Sequence, residues 1–66
     1  MQIHLNGEPF AAQANDTLAT LIERLDIPSQ RFAIEMNEEI VPRSLYHEHA
    51  IKAGDTIEVV VAIGGG

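Results

Sequence analysis

Residues 54–66 read Gly54-Asp55-Thr56-Ile57-Glu58-Val59-Val60-Val61-Ala62-Ile63-Gly64-Gly65-Gly66. Ile57, Val59 and Val61 alternate with Glu58, Val60 and Ala62, the two-residue period of a strand with one face in a core. A tight turn at Ala53-Gly54-Asp55 precedes the strand, and three glycines follow it directly. Glycine lacks a Cβ and accepts almost any φ. The segment therefore predicts a core strand running straight into a thin, flexible arm at residues 64–66, with residues 1–63 as a single domain.

Working outward, the N-terminus carries a matching strand. Met1, Ile3 and Leu5 alternate with Gln2, His4 and Asn6. Asn6-Gly7 is a strong hairpin signal because both residues tolerate positive φ, so Pro9 to Gln13 is expected to return as a strand. The proline suits only the start or the edge of a sheet. Asn15-Asp16 then precedes a helix, with Asp16 as the expected N-cap and no capping box, since Ala19 stands where a glutamate would be needed. Leu18, Leu21, Ile22 and Leu25 form one apolar stripe, with Glu23, Arg24 and Asp26 off it, and Pro28 ends the helix near Asp26 or Ile27. Phe32, Ile34 and Met36 mark a third strand, Asn37-Glu38-Glu39 a turn, and Ile40-Val41 a short strand stopped by Pro42. Ser44 is placed to cap a helical turn reaching about His49.

One amphipathic helix has one sheet to cover. The first and last strands are far enough apart in sequence for a crossover, so they can lie parallel at the centre. The expected fold is α+β: a ubiquitin-like β-grasp, with a mixed sheet of four to five strands packed on one main helix.

Composition narrows the function. A 66-residue chain buries only about 60% of the surface its unfolded form exposes, which leaves little room for an enclosed catalytic cleft. There is no cysteine, so no disulfide or thiolate metal site can brace it. The net charge of −6, with four basic residues, disfavours nucleic acid and anionic membranes and suits either a basic protein partner or simple solubility. No secretory leader is expected, because no basic region precedes a long apolar run. The apolar run Val59 to Ile63 is too short to cross a bilayer. A cytoplasmic setting is consistent with these features, and the free chain is expected to be a monomer.

The chemistry lies in the tail. Three extended glycines reach roughly 10 Å, and nothing branched stands next to the terminal carbonyl of Gly66. An α-carboxyl with a pKa of about 3.3–3.7 is ionised at neutral pH and is a poor electrophile until converted to an acyl-adenylate. Sulfide or persulfide would then give a thiocarboxylate, and an amine would give an amide. The chain has no phosphate-binding Gly-rich loop and no Mg²⁺ ligand set of its own. A separate protein must therefore spend the ATP, and no cofactor is expected to be bound here.

The stretches Ile3-His4-Leu5-Asn6-Gly7-Glu8, Ala33-Ile34-Glu35-Met36-Asn37, Ile40-Val41-Pro42-Arg43, Gly54-Asp55 and Val59 to Gly66 resemble the ThiS family, the sulfur carriers of thiamine thiazole synthesis, over essentially the whole chain. The resemblance implies a carrier rather than an enzyme. An E1-like ThiF protein would adenylate Gly66, and a cysteine desulfurase would ultimately supply the sulfur. The thiazole synthase ThiG would consume the thiocarboxylate, and Gly64 and Gly65 would complete the tail. Two similar classes remain open. One is the molybdopterin-synthase small subunit, which carries prolines where this chain has Val61-Ala62-Ile63. The other is a ubiquitin-like modifier forming isopeptide conjugates.

Other candidates are weighed on their surroundings. His47 and His49, two apart on a helical turn, do not share a face, so no metal site is expected. His4 falls on the polar side of its strand. Glu35, Glu38 and Glu39 place acidity on one side, suited to a basic partner. Val60 has the parity of the face away from the helix and, with Ala62, Ile63 and Arg43, is a candidate docking residue. Arg43 could equally serve a surface ion pair of small value.

Overall fold

The computed structural model describes residues 1–27 and 31–61. The elements run β1 (Gln2–Leu5), β2 (Glu8–Ala11), α1 (Leu18–Leu25), β3 (Phe32–Met36), β4 (Glu39–Val41), a 3-10 turn (Arg43–Leu45) and β5 (Thr56–Val61). The strands form one sheet in the order β2-β1-β5-β3-β4. β1 and β5 are parallel, with Leu5 opposite Ile57, and the other neighbours are antiparallel. β5 is therefore the central strand, as its apolar alternation implies, and the sheet with α1, the one α-helix among the described residues, is the expected β-grasp.

The helix covers one face. Ile3, Leu18, Leu21, Ile34 and Ile57 are fully buried, joined by Ala12, Met36, Val41, Tyr46 and Ile51. The predicted stripe holds in detail: Leu18 and Leu21 are buried, and Ile22 and Leu25 pack against the core from its margin. At the roughly 25 cal/mol per Å² that apolar burial contributes, these side chains carry most of the stabilisation of so small a domain.

Several local expectations change. The N-cap is Thr17, not Asp16. Thr17 Oγ1 accepts the Thr20 N–H at 3.3 Å, and Thr20 Oγ1 accepts the Thr17 N–H at 2.9 Å. A capping box is therefore present, with threonine serving where glutamate is usual. Asp16 is displaced from the cap because its carboxylate is engaged elsewhere. At 4% exposure, it accepts Arg24 Nη1 at 2.9 Å and Nη2 at 2.8 Å, the Gln13 N–H at 2.9 Å and Thr20 Oγ1 at 3.0 Å. The Arg24 guanidinium, foremost, holds the carboxyl far below its usual range against the opposing effect of burial, and Asp16 in turn raises Arg24.

The second strand begins at Glu8 and stops at Ala11, short of the expected Gln13, because a two-residue turn pairs Glu8 directly with Leu5. Ala12 N donates to Met1 O at 2.7 Å. Pro9, three residues earlier, therefore turns its nitrogen away from β1, which an edge strand tolerates. The turn after β3 is likewise shorter than expected. Asn37 (φ 53°) and Glu38 (φ 72°) form it alone, and Glu39 pairs with Met36. Pro42, not Ser44, occupies the N-cap of the 3-10 turn, without a side-chain cap bond. Proline has no N–H and its φ is preset, so it can start the turn unaided.

Two turn asparagines stitch β5 in place. Asn6 Oδ1 accepts the Val59 N–H at 2.8 Å, supplying an acceptor just past the point where β1 ends. Asn37 Oδ1 accepts the Thr56 N–H at 3.0 Å, and its Nδ2 donates to Asp55 Oδ1 at 3.2 Å. The start and the middle of β5 are thus held by side chains from turns whose positive φ asparagine tolerates.

Candidate functional site

The candidate site is sought at the end of the sheet where β5 stops, since the expected tail follows Val61 in sequence. Val61 lies opposite Phe32, the first residue of β3. The candidate tail residues Gly64, Gly65 and Gly66 lie outside the described residues, as do the docking candidates Ala62 and Ile63 and the domain boundary expected after residue 63. Val60 and Arg43 are described.

Strand parity and register define the face away from the helix. Gln2, His4, Ala33, Glu35, Ile40, Thr56, Glu58 and Val60 point to this side, opposite in parity to the buried Ile3, Ile34, Val41 and Ile57. Val60 is 54% exposed and Ile40 69%. Two large aliphatic side chains therefore stand in water on the face whose polar residues would suffice for solubility.

The charge on this face is divided. Glu35 and Glu58 lie directly across from each other in the β3–β5 register and line a hollow of about 300 Å³ with Glu38 and Thr56. Like charges in such a pair oppose strand pairing. Glu39 is separated from these acids by parity, since it pairs with Met36 on the helix side. At the end where β5 stops, the charge reverses. Arg31, Phe32, Ala33, Arg43 and Val60 surround a nearly apolar depression of about 370 Å³. The Arg43 guanidinium carbon sits 4.4 Å from the Phe32 ring centroid, and Arg43 Nη2 donates to Phe32 O at 3.4 Å. Phe32 stacks on Tyr46 with centroids 6.4 Å apart.

The remaining sequence candidates fall away from this end. His4 is exposed on β1. His47 is exposed and His49 half-buried in the turns after Leu45. His49 Nδ1 is buried without a partner among the described residues, and its carbonyl accepts the Leu18 N–H. No group of three acidic or histidine side chains placed to hold a metal occurs among the described residues. No described helix is long and apolar enough to cross a membrane. Sequence reasoning passed over Arg31, Asp16's carboxylate network and the bonds from the two turn asparagines to β5. The position of Arg31, one residue before the third strand, was the only available signal for it.

A mixed five-stranded sheet wrapped on one helix, with its central strand leading directly to the chain's glycine-rich end, defines a ubiquitin-like β-grasp protein. The ThiS family model matches residues 3–66, and the chain belongs to the ThiS family. Sulfur carrier protein ThiS of Escherichia coli (strain K12) is 35% identical over the full length of both chains. A thiazole synthase of Magnetococcus marinus is 44% identical over all 66 residues, which span only 20% of its own length. A crystal structure of a thiamine biosynthesis protein (ThiS) from Geobacter metallireducens superposes with a TM-score of 0.87 at 25% identity, covering all of both chains.

Proposed function

We propose that this chain is a sulfur carrier of thiamine biosynthesis, a co-substrate rather than an enzyme, with Gly66 as its working residue. A separate E1-like, ThiF-like protein spends ATP to join the Gly66 carboxylate to AMP, with loss of pyrophosphate. Persulfide sulfur derived from a cysteine desulfurase then displaces AMP to form an acyl disulfide with the sulfur donor, and a thiol reductant cleaves that S–S bond to leave a thiocarboxylate. A ThiG-like thiazole synthase takes that sulfur into the thiazole ring, in a cytoplasmic setting. The observation that carries the reading is family membership over residues 3–66, on a fold whose central strand leads into the glycines. Five residues follow Val61. Fully extended they span about 16–18 Å, enough to enter an active site while the domain stays outside.

Two further observations support the partners. Thiazole synthases of two bacteria each contain a stretch over 40% identical to the whole of this chain, so a segment similar to this chain shares a polypeptide with a thiazole synthase there. The exposed Val60, with Ala33 opposite it, offers an apolar seat for docking near the end of β5, with Arg43 at its margin.

Intact mass of the protein isolated from its own cell tests the reading. A gain equal to the difference between sulfur and oxygen, located at Gly66, is expected. Deleting Gly66 should abolish thiazole formation and leave the melting temperature unchanged. Lysine-linked conjugates in place of a thiocarboxylate would assign the chain to the protein modifiers instead.

A further inference from the structure

The chain holds three asparagines, Asn6, Asn15 and Asn37, and the structure treats them differently. Asn37 is engaged at both ends of its amide, by the Thr56 N–H and by Asp55, and Glu38 follows it. Asn15 precedes Asp16, whose N–H donates to Gln13 O at 3.0 Å. Asn6 stands in the exposed two-residue turn between β1 and β2. Its Oδ1 accepts the Val59 N–H, and its own N–H donates to Ile57 O at 2.9 Å. The side chain thus takes the place a main-chain carbonyl would hold had β1 continued beside β5. Asn6 Nδ2 and the Gly7 N–H have no partner among the described residues. At Gly7 there is open space where a Cβ would stand.

We propose that Asn6 is a site of spontaneous deamidation and that the turn sorts the two products: an aspartyl form that keeps the bond to Val59, and an isoaspartyl form that cannot keep both that bond and the turn. The inference stands apart from the carrier reading. Water is the only co-reactant. The Gly7 nitrogen gives up its proton and bonds to Asn6 Cγ, the Cγ–Nδ2 bond breaks, and ammonia departs, leaving a cyclic succinimide. Water then opens the ring. Breaking the bond between the Gly7 nitrogen and Cγ gives aspartate in an unaltered main chain. Breaking the bond between that nitrogen and the Asn6 α-carbonyl gives isoaspartate, whose chain runs through the former side chain and whose α-carboxylate hangs free. Either way an amide and water become a carboxylate and ammonium, with no change of oxidation state.

A side chain on the following residue hinders approach of its nitrogen to Cγ, and glycine has none. A backbone N–H already donated to a carbonyl, as at Asp16, is withdrawn from attack. Asn6 meets neither obstacle. The products then differ in which branch leads onward. In the turn the main chain of Asn6 goes to Gly7 and its side chain to Val59. Aspartate keeps this division, and a carboxylate accepts an N–H more strongly than an amide does. In isoaspartate the chain to Gly7 leaves through the carbonyl carbon that faced Val59. One methylene is also added to a loop whose length fixes the pairing of Leu5 with Glu8. Turn and bond compete for one carbonyl, and β5 loses the acceptor at its middle.

The full chain is incubated at mildly alkaline pH, sampled over time and mapped by peptide mass, with isoaspartate counted by a carboxyl methyltransferase specific for it. Replacement of NH2 by OH should appear at Asn6 first, about tenfold or more ahead of Asn15 and Asn37. Gly7→Ala should slow it by a similar factor. Gly7 holds a φ of 83° that alanine resists, so a melt accompanies that variant, and the ranking of the three asparagines in the unaltered chain carries the test if it unfolds. Equal rates at the three, or an Asn6 that outlasts the others, would overturn the site. Two chains of defined chemistry test the sorting: Asn6→Asp, and a synthetic chain with isoaspartate at position 6. Asn6→Asp should melt with the unaltered chain and keep the Val59 amide protected from hydrogen exchange. The isoaspartyl chain should melt about 4–8 °C lower, the shift that loss of one net hydrogen bond gives so small a domain, and its Val59 amide should exchange roughly tenfold faster. Matching melts and matching Val59 protection in the two chains would overturn the sorting. An equally early melt of Asn6→Asp would overturn it too, by placing the loss in the new charge rather than in the turn.

Discussion

The two faces of the sheet are made from the same strands and obey different economies. On the helix side, Ile3, Ile34 and Ile57 reach 0% exposure, and the α1 residues Leu18 and Leu21 close over them. The nearby polar groups are satisfied: Asp16 accepts four hydrogen bonds, and Thr17 and Thr20 cap each other. On the open side the fold tolerates features that cost it stability. Glu35 faces Glu58, Glu38 holds a φ of 72° that glycine would adopt without strain, and Val60 and Ile40 stand in water. The contrast separates a face built for stability from a face left open.

The comparison breaks first, if it breaks, at Leu21. Leu21→Ala should cost about 2–5 kcal/mol through lost burial and the cavity left behind, a large part of the stability of a domain this small. A loss under about half a kcal/mol in a denaturant titration would show that the helix side is not the stabilising side.

Asp16 comes next. Its carboxyl lies well below its ordinary value of 3.8 because Arg24 and the Gln13 N–H bind the ionised form. A depressed folded-state pKa contributes stability that is complete above the unfolded value, near pH 4–5, and is lost as pH falls through the folded value. The melting temperature of the unaltered chain should therefore decline on acidification below about pH 4. Asp16→Asn should melt lower at neutral pH and show a shallower acid decline. Parallel pH profiles for the two proteins would show that the ion pair does not contribute.

Thr17→Ala, which removes the cap, should cost about 1 kcal/mol. An unchanged melt would return the capping role to a neighbour. The smallest expected effect has the opposite sign and sharpens the comparison most. Glu38→Gly should stabilise by about 0.5–1 kcal/mol, relief of the left-handed backbone outweighing the entropy of the added glycine. A destabilised Glu38→Gly would mean that the open-face turn is as optimised as the helix side.

Much of this was legible in the residues themselves. The Leu18, Leu21, Ile22, Leu25 stripe, the alternation of Ile57, Val59 and Val61, and the Asn6-Gly7 turn each report a local period or a local φ preference. A local signal needs no knowledge of the rest of the chain. The same parity placed Val60 on the solvent side. Identities that hinge on a distant partner were not legible. Asp16 and Thr17 are both good caps by type. Only the approach of Arg24 from the last turn of the helix decides that Asp16 is drawn into an ion pair and Thr17 takes the cap. Asn6 and Asn37 announce turns, while their bonds to Val59 and Thr56 depend on which strand lies beside them. Arg31 and Arg43 are 12 positions apart, and nothing in their spacing brings them together. They share one depression because β3 starts where β5 stops and because the 3-10 turn after β4 lays Arg43 across Phe32. By itself the sequence determined the periodicities and the glycine tail, because these are properties of neighbouring residues. The tertiary structure alone decided which polar side chains meet, because hydrogen bonds and ion pairs form between groups that only the completed sheet and helix bring within 3–4 Å of each other.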